Sequence, residues 1–135
     1  MRYVLICLAV ISAGPAFGQQ FTTAAEVRPI LTATRANWVA LRQYQGQDLL
    51  YFTQLENWRC GLSEVRFSVN GGRQKKWQLE TCYENTPTPN AFQGQNRVPY
   101  TAFTLESVNE VSVTIFYDDG TSDSATYERK SILMP

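Results

Sequence analysis

The chain has 135 residues, of which 44% are hydrophobic and 18% are charged, with 12 basic residues against 12 acidic ones and no histidine. This composition predicts a single domain with a packed core and argues against disorder, collagen and coiled coil. Zero net charge favours neither nucleic acid nor an anionic membrane surface as a partner, and the missing histidine excludes catalytic triads and dyads that need histidine, as well as histidine-ligated zinc.

The start of the chain has the layout of an export signal. Arg2 supplies a positive charge, residues 3–13 form an apolar run, and the small residues Ala16 and Gly18 predict cleavage before Gln19. The apolar run is shorter than the roughly 20 residues that a transmembrane helix needs, so we expect no transmembrane segment after signal removal. The sequence therefore predicts a signal peptide over residues 1–18, a single β domain over residues 19–135, and a secreted or periplasmic location.

The cysteine count becomes even once the predicted signal is removed. Cys7 lies inside the signal, which leaves Cys60 and Cys82 in the mature chain. Two cysteines in an exported protein allow one pairing, so we predict a Cys60–Cys82 disulfide. The alternative is a free reactive thiol, which would have no histidine to activate it.

A short helix is predicted near the start of the mature chain. Thr23 and Glu26 have the spacing of a capping box, and apolar residues continue at helical spacing to Leu31. Pro29 falls within this run, and a proline beyond the first turn breaks or kinks a helix. We therefore expect either a short helix or two turns separated at Arg28.

The pattern then changes to strands, and the first pair is strongly apolar. Residues 38–44 and residues 48–53 are rich in aromatic and aliphatic side chains and flank a turn over residues 45–47. Both faces of this hairpin carry apolar groups. We therefore expect the hairpin to be central to the sheet.

Strict alternation over residues 65–69, followed by Asn70 and two glycines, predicts a second hairpin. A three-residue loop sets Val65 opposite Trp77, and the same register brings the two remaining cysteines opposite each other. Both cysteines have even residue numbers, whereas the residues of the apolar face have odd numbers. The bridge is therefore expected on the opposite face, or a bulge near Gly61 re-aims the strands.

A third hairpin is predicted over residues 111–117 and 122–128. A three-residue loop that ends at Gly120 sets Val113 opposite Ala125 and keeps the apolar faces matched.

The strands are short and closely spaced, and with residues 101–105 they number about seven. This pattern predicts an all-β fold, an antiparallel β-sandwich that is Ig-like or similar, with a short N-terminal helix. A small β-barrel is the alternative.

Residues 83–99 are the least strand-like segment of the mature chain, with three prolines and no sustained alternation. Loops of this length are often binding loops, and Tyr83, Phe92 and Arg97 are the candidate contact residues. The alternative is that the loop covers a sheet edge and that Phe92 fills the core.

The aromatic content suggests carbohydrate binding, because sugar rings stack on aromatic faces. Trp58, which lies between two predicted strands, is the best candidate, and Tyr44 at a hairpin tip is the second. Trp38 and Trp77 fall in alternating strands and are expected in the core.

The sequence nominates no catalytic residues, no metal site and no cofactor. Asp118, Asp119 and Asp123 cluster at one turn, but their spacing is not that of an EF-hand, and aspartate before glycine is typical of a hairpin turn. The scattered acids nominate no catalytic pair. We therefore expect a protein that is not an enzyme.

The leading hypothesis is a secreted or periplasmic, non-catalytic binding module, stabilised by one disulfide, whose partner is a protein or a cell-envelope component. The predicted contact residues are Trp58, Tyr83, Phe92 and Arg97. A carbohydrate-binding module and an inhibitor of a secreted enzyme are the two alternatives. Nucleic acid is not an expected partner.

Overall fold

The computed structural model describes residues 20–94 and 96–135, so the predicted signal peptide over residues 1–18 lies outside the described residues. The described chain forms three short helices, seven strands and two single 3-10 turns. The helices are α1 (Ala24–Ala33), α2 (Thr53–Asn57) and α3 (Arg129–Ile132). The strands are β1 (Ala40–Tyr44), β2 (Gln47–Tyr51), β3 (Leu62–Val69), β4 (Lys75–Trp77), β5 (Tyr100–Thr104), β6 (Glu110–Tyr117) and β7 (Ser122–Glu128).

The strands form two antiparallel sheets. One sheet has three strands in the order β1-β2-β5, and the other has four strands in the order β4-β3-β6-β7. Their inner faces contribute Leu41 and Leu50 from one sheet and Val65, Val113 and Ile115 from the other to one buried core. The predicted β-sandwich is confirmed, and the strands of the described chain do not close into the alternative barrel.

Helix α1 is continuous through Pro29, so the expected short helix is confirmed and the alternative of two turns separated at Arg28 is wrong. The Thr23 hydroxyl accepts a hydrogen bond from the backbone N–H of Glu26 at 3.3 Å, which is one half of the predicted capping box. The Glu26 carboxylate accepts instead from the Thr23 hydroxyl at 2.9 Å and from the backbone N–H of Phe21 at 3.2 Å. Pro29 removes the bond that an amide here would donate to the carbonyl of Ala25. Both residues are exposed, so water can serve that carbonyl and the helix is not interrupted.

The first hairpin turns more tightly than expected. Its loop is Gln45-Gly46, and both residues have positive φ, 49° and 76° respectively. These values are those of a two-residue hairpin turn, so Gln47 belongs to β2 and the predicted three-residue turn is wrong. Trp38 precedes β1 and Thr53 begins α2, so both predicted strands were too long. β2 is the central strand of its sheet but β1 is an edge strand, so the expectation that the whole hairpin is central is correct for β2 only.

The other two hairpins have the predicted registers. Val65 pairs with Trp77, and Val113 pairs with Ala125. The Cys60–Cys82 disulfide is present, with a Cα–Cα distance of 5.1 Å. Neither cysteine lies in a strand, because one belongs to a 3-10 turn before β3 and the other follows β4. The bridge therefore joins the ends of the hairpin outside the ladder and lies on neither face of the sheet. A bulge is present between Leu62 and Glu64, next to Gly61, where β3 pairs with β6.

The 3-10 turn Arg59–Gly61 packs directly against α1. A β-carbon on Gly61 would lie 2.2 Å from Cγ2 of Val27 and 2.8 Å from the carbonyl oxygen of Thr23. No larger residue fits without moving the helix, so the close approach depends on glycine.

The C-terminal residues pack against the edge of β1. Ile132 is buried, and the backbone N–H of Met134 donates to the carbonyl of Leu41 at 2.7 Å. The C-terminal tail is therefore docked on the domain through the Ile132 side chain and the Met134 backbone. Within the described chain, every helix is too short to traverse a lipid bilayer.

Candidate functional site

A buried arginine organises the region around the disulfide. Arg59 precedes Cys60, and its side chain is only 1% exposed. All five guanidinium N–H groups donate to backbone carbonyls at 2.7–3.0 Å. The acceptors are the carbonyls of Glu56, Thr81, Asn90 and Ala91. Arg59 therefore joins the end of α2 to two separate parts of the segment that follows β4.

Two buried carboxylates surround this guanidinium. Glu80 lies 3.4 Å from Arg59 in an ion pair, and Glu56 lies 4.0 Å away. Glu56 also accepts hydrogen bonds from the indole N–H of Trp77 at 2.9 Å and from Arg97 at 2.5 Å. Buried charges are tolerated when they are paired and hydrogen-bonded, as these are.

Two of the predicted contact residues belong to this charged network. The Tyr83 hydroxyl donates to Glu80 at 3.0 Å, and partial burial, followed by that hydrogen bond, raises the pKa of the Tyr83 phenol. Arg97 pairs with Glu56 and also donates to the carbonyl of Gln78. Both side chains hold the segment in place, so the structure gives them a structural role.

An open cleft lies on the other side of the same segment. Its apolar walls are Phe21, Trp58, Pro87 and Pro89, and we call it the aromatic–proline cleft. Its volume is about 370 Å³. Phe21 packs its ring edge against Trp58, with centroids 5.1 Å apart and planes at 79°. Polar groups complete the lining, contributed by Gln20, Asn57, Thr88 and Asn90.

The walls of the aromatic–proline cleft are tied to the buried network. Asn90 accepts a hydrogen bond from the backbone N–H of Cys60 at 2.8 Å and donates to the carbonyl of Phe21 at 3.0 Å. The indole Nε1 of Trp58 is buried and has no hydrogen-bond partner among the described residues. The cleft is therefore a preformed feature whose two sides are joined by Asn90.

The structure brings together only some of the predicted site residues. Trp58 meets residues 87–91 of the predicted binding loop in one cleft. Tyr83 and Arg97 lie in the charged network instead. Phe92 is 46% exposed and lines neither feature, so the alternative in which Phe92 fills the core is wrong.

The aspartates at the third hairpin face α1 and the turn that follows it. Asp118 accepts a hydrogen bond from the backbone N–H of Ala24 at 3.0 Å, Asp119 pairs with Arg28, and Asp123 pairs with Arg35. The side-chain and backbone bonds from Thr121, and then Arg28, lower the pKa of Asp119 to about 2. Within the described residues, no group of three or more potential metal ligands occurs. These carboxylates anchor the helix to the sandwich.

Sequence reasoning missed all of the buried charged residues. Asp48, Glu56, Arg59 and Glu80 are each no more than 7% exposed. Asp48 stands beside two leucines in a predicted strand, and Arg59 stands beside a disulfide cysteine. A charged residue within an apolar or cross-linked segment is a sign that its side chain is buried and paired, and this pattern could have identified Asp48 and Arg59.

Comparison with known proteins finds no match to any family model, curated sequence or solved structure.

Proposed function

We propose that this protein is an exported, non-catalytic interaction module that binds a protein or cell-envelope component through the aromatic–proline cleft. The observation that carries the proposal is the position of Trp58. Its ring and the proline-bearing segment line one open cleft, and Arg59 holds that segment by donating to the carbonyls of Asn90 and Ala91.

The chemistry of the cleft suits a protein partner. Tryptophan is among the residues that contribute most to protein–protein affinity, especially in a pocket surrounded by polar groups. Asn57 and Thr88 are exposed and supply such groups at the rim. A preformed cleft also loses little conformational entropy on binding.

The disulfide supports the exported location. Cys60 and Cys82 are bonded in the structure, and such bonds persist in the periplasm and outside the cell but are rare in the cytosol. A secreted or periplasmic location therefore agrees with the predicted signal at residues 1–18.

The test is affinity capture from an envelope extract, followed by binding measurements with the purified captured protein. We expect Thr88→Arg, which places a long charged side chain at the cleft rim, and Trp58→Ala to weaken binding at least about tenfold, as loss of an interface hot spot does. Phe92→Ala is the matched control, since it removes an exposed aromatic residue outside the cleft. Unchanged binding by Thr88→Arg would contradict the proposal even if Trp58→Ala proved unstable.

Carbohydrate binding at this cleft is the second candidate. Trp58 lies beside the exposed amide of Asn57 and the hydroxyl of Thr88, a combination that can stack on a sugar ring and bond its hydroxyl groups. A pull-down with insoluble polysaccharides distinguishes the two, because a carbohydrate site retains the wild-type chain and releases Trp58→Ala. Inhibition assays against lysozymes and proteases test the third reading, in which the rigid proline-bearing segment blocks a secreted enzyme.

A further inference from the structure

A second candidate surface lies on the outer face of the three-stranded sheet. Leu41 and Leu50 pair on the inner side and belong to the core. Leu49 points the other way, yet it is only 5% exposed and is not part of the core cluster. Its cross-strand partners are Arg42 and Ala102. Leu49 is therefore an apolar side chain on the outer face that its neighbours shield from solvent.

Three tyrosines share this outer face. Tyr51 pairs with Tyr100 across β2 and β5, and their ring centroids are 5.0 Å apart. Tyr44 lies on β1 and is 45% exposed. The strand partner of Tyr51 is Ala40, four residues from Tyr44, which separates the two aromatic positions by about 13 Å along the strand. We call Arg42, Tyr44, Tyr51 and Tyr100 together the tyrosine face.

Nine residues of these three strands point outward, and Arg42 is the only charged one among them. Its guanidinium lies over the Tyr44 ring, 4.3 Å from the centroid. Arg28, Arg35, Arg59, Arg66, Arg97 and Arg129 each pair with a carboxylate. Arg42 has no such pair within the described residues. Its N–H groups are available for an acid supplied from outside.

Polar side chains flank both ends of the tyrosine face. A recess of about 240 Å³ opens beside Tyr51 and is lined in part by Asn37, Thr53 and Gln54. At the other end, Gln47 pairs with Thr104 next to Tyr44. Amide and hydroxyl groups are the hydrogen-bonding partners that sugar hydroxyls require.

We propose that the tyrosine face binds an acidic oligosaccharide. The tyrosine rings stack against sugar rings, and the Arg42 guanidinium pairs with a sugar carboxylate in a charge-assisted hydrogen bond. The separation of Tyr44 from Tyr51 suits a ligand of more than one sugar ring. The positive charge of Arg42, with no acid beside it on this face, selects acidic over neutral glycans. This proposal does not depend on the aromatic–proline cleft.

The experiment measures binding of the oxidised protein to immobilised oligogalacturonate, alginate and hyaluronate at low salt. Methyl-esterified oligogalacturonate is the neutral control. We expect Arg42→Gln and Tyr44→Ala each to weaken binding to an acidic glycan about tenfold, the loss expected for one charge-assisted or aromatic contact. Esterification should have a similar effect, and added salt should weaken the wild type more than Arg42→Gln.

Two matched controls separate this surface from others. Arg73→Gln removes an exposed cation on the β3–β4 loop and should leave glycan binding unchanged, as should Thr88→Arg in the aromatic–proline cleft. Arg42 and Tyr44 are exposed, so their variants should keep the wild-type melting temperature. The proposal would be overturned if the wild type bound none of the three acidic glycans. It would also be overturned if Arg42→Gln bound an acidic glycan as tightly as the wild type.

Discussion

Asp48 and Arg129 form a bidentate ion pair in the interior of the domain. Arg129 Nη1 lies 2.6 Å from Asp48 Oδ2, and Nη2 lies 3.2 Å from Oδ1. The same carboxylate accepts the backbone N–H groups of Glu106 at 3.0 Å and Val108 at 3.1 Å. One fully buried side chain on β2 thus holds both the β5–β6 connection and the start of α3.

This pair predicts a specific loss of stability in acid. The hydrogen bond from Arg129, together with the two backbone donors, lowers the pKa of Asp48 from 3.8 to about 2. Because the folded pKa is the lower one, the stabilisation is fully present above the unfolded pKa of 3.8 and is lost as the pH falls to about 2. Urea unfolding of the wild type and Asp48→Asn from about pH 5 to about pH 2 should show two curves that converge. Curves that stay parallel would contradict the assignment.

At neutral pH, Asp48→Asn should lower the free energy of unfolding by about 3 kcal/mol, because it leaves the partly buried Arg129 without its charge partner. Glu64→Gln is the control, since Glu64 pairs with the exposed Arg66. An exposed pair of this kind contributes less than about 1 kcal/mol. Equal effects of the two variants on urea unfolding would show that burial is not the cause.

Arg59→Lys should destabilise the fold by about 3 kcal/mol although the charge is kept, because lysine cannot reproduce the planar set of five donors. Hydrogen exchange should report the site of the loss, with faster exchange at the backbone N–H groups of Tyr83 and Ala91, which bond within the 83–91 segment. Arg66→Lys is the matched control on an exposed arginine. Uniform acceleration across the sandwich would mean that Arg59 acts globally instead of holding this segment.

Replacing both disulfide cysteines by serine should lower the free energy of unfolding by about 3 kcal/mol, the cost of releasing a loop of this size in the unfolded chain. The cysteines are 22 residues apart in sequence. A reducing agent should lower the melting temperature of the wild type and leave that of the double variant unchanged. If both proteins respond equally, the bond is not the source of the effect.

Gly61→Ala should lower the free energy of unfolding by about 2 kcal/mol, because the new methyl group overlaps Val27 and the Thr23 carbonyl. The double variant that combines Gly61→Ala with Val27→Ala tests whether the overlap with Val27 causes this loss. The combined loss should be smaller than the sum of the two single losses, since the shortened side chain relieves part of the overlap. If the two losses in the free energy of unfolding, measured by chemical denaturation, are additive, the strain does not come from the contact between residues 61 and 27. Gly71→Ala is not a suitable control, because Gly71 has a positive φ of 67°.

Two of the three hairpin pairings of this protein could be predicted from its sequence. Strict alternation and turn residues predicted the registers that pair Val65 with Trp77 and Val113 with Ala125. The errors arose where tertiary packing or solvent exposure outweighed a rule based on neighbouring residues alone. Two turns separated at Arg28 were one of the two expected outcomes around Pro29, but the exposed position of this proline makes the missing hydrogen bond tolerable and the helix is continuous.

The candidate site was only partly predictable. Trp58 and the 83–99 loop were singled out separately, and the structure places them at one cleft. Arg97 was assigned to the same surface, whereas its partner Glu56 lies 41 residues away in sequence and draws it into the interior. No local pattern specifies which carboxylate an arginine will meet, because that pairing forms only after the chain has folded back on itself.

The sequence by itself determined the strand pattern, the registers of the second and third hairpins and the pairing of Cys60 with Cys82, because these depend on side-chain periodicity, turn residues and the presence of only two cysteines after residue 18. Only the tertiary structure decided that Arg59 and Asp48 are buried, that the aromatic–proline cleft is open, and that Tyr51 meets Tyr100 across β2 and β5. These features join residues far apart in the chain. Their positions follow from how two sheets and a long connection pack together, and short-range patterns do not record that packing.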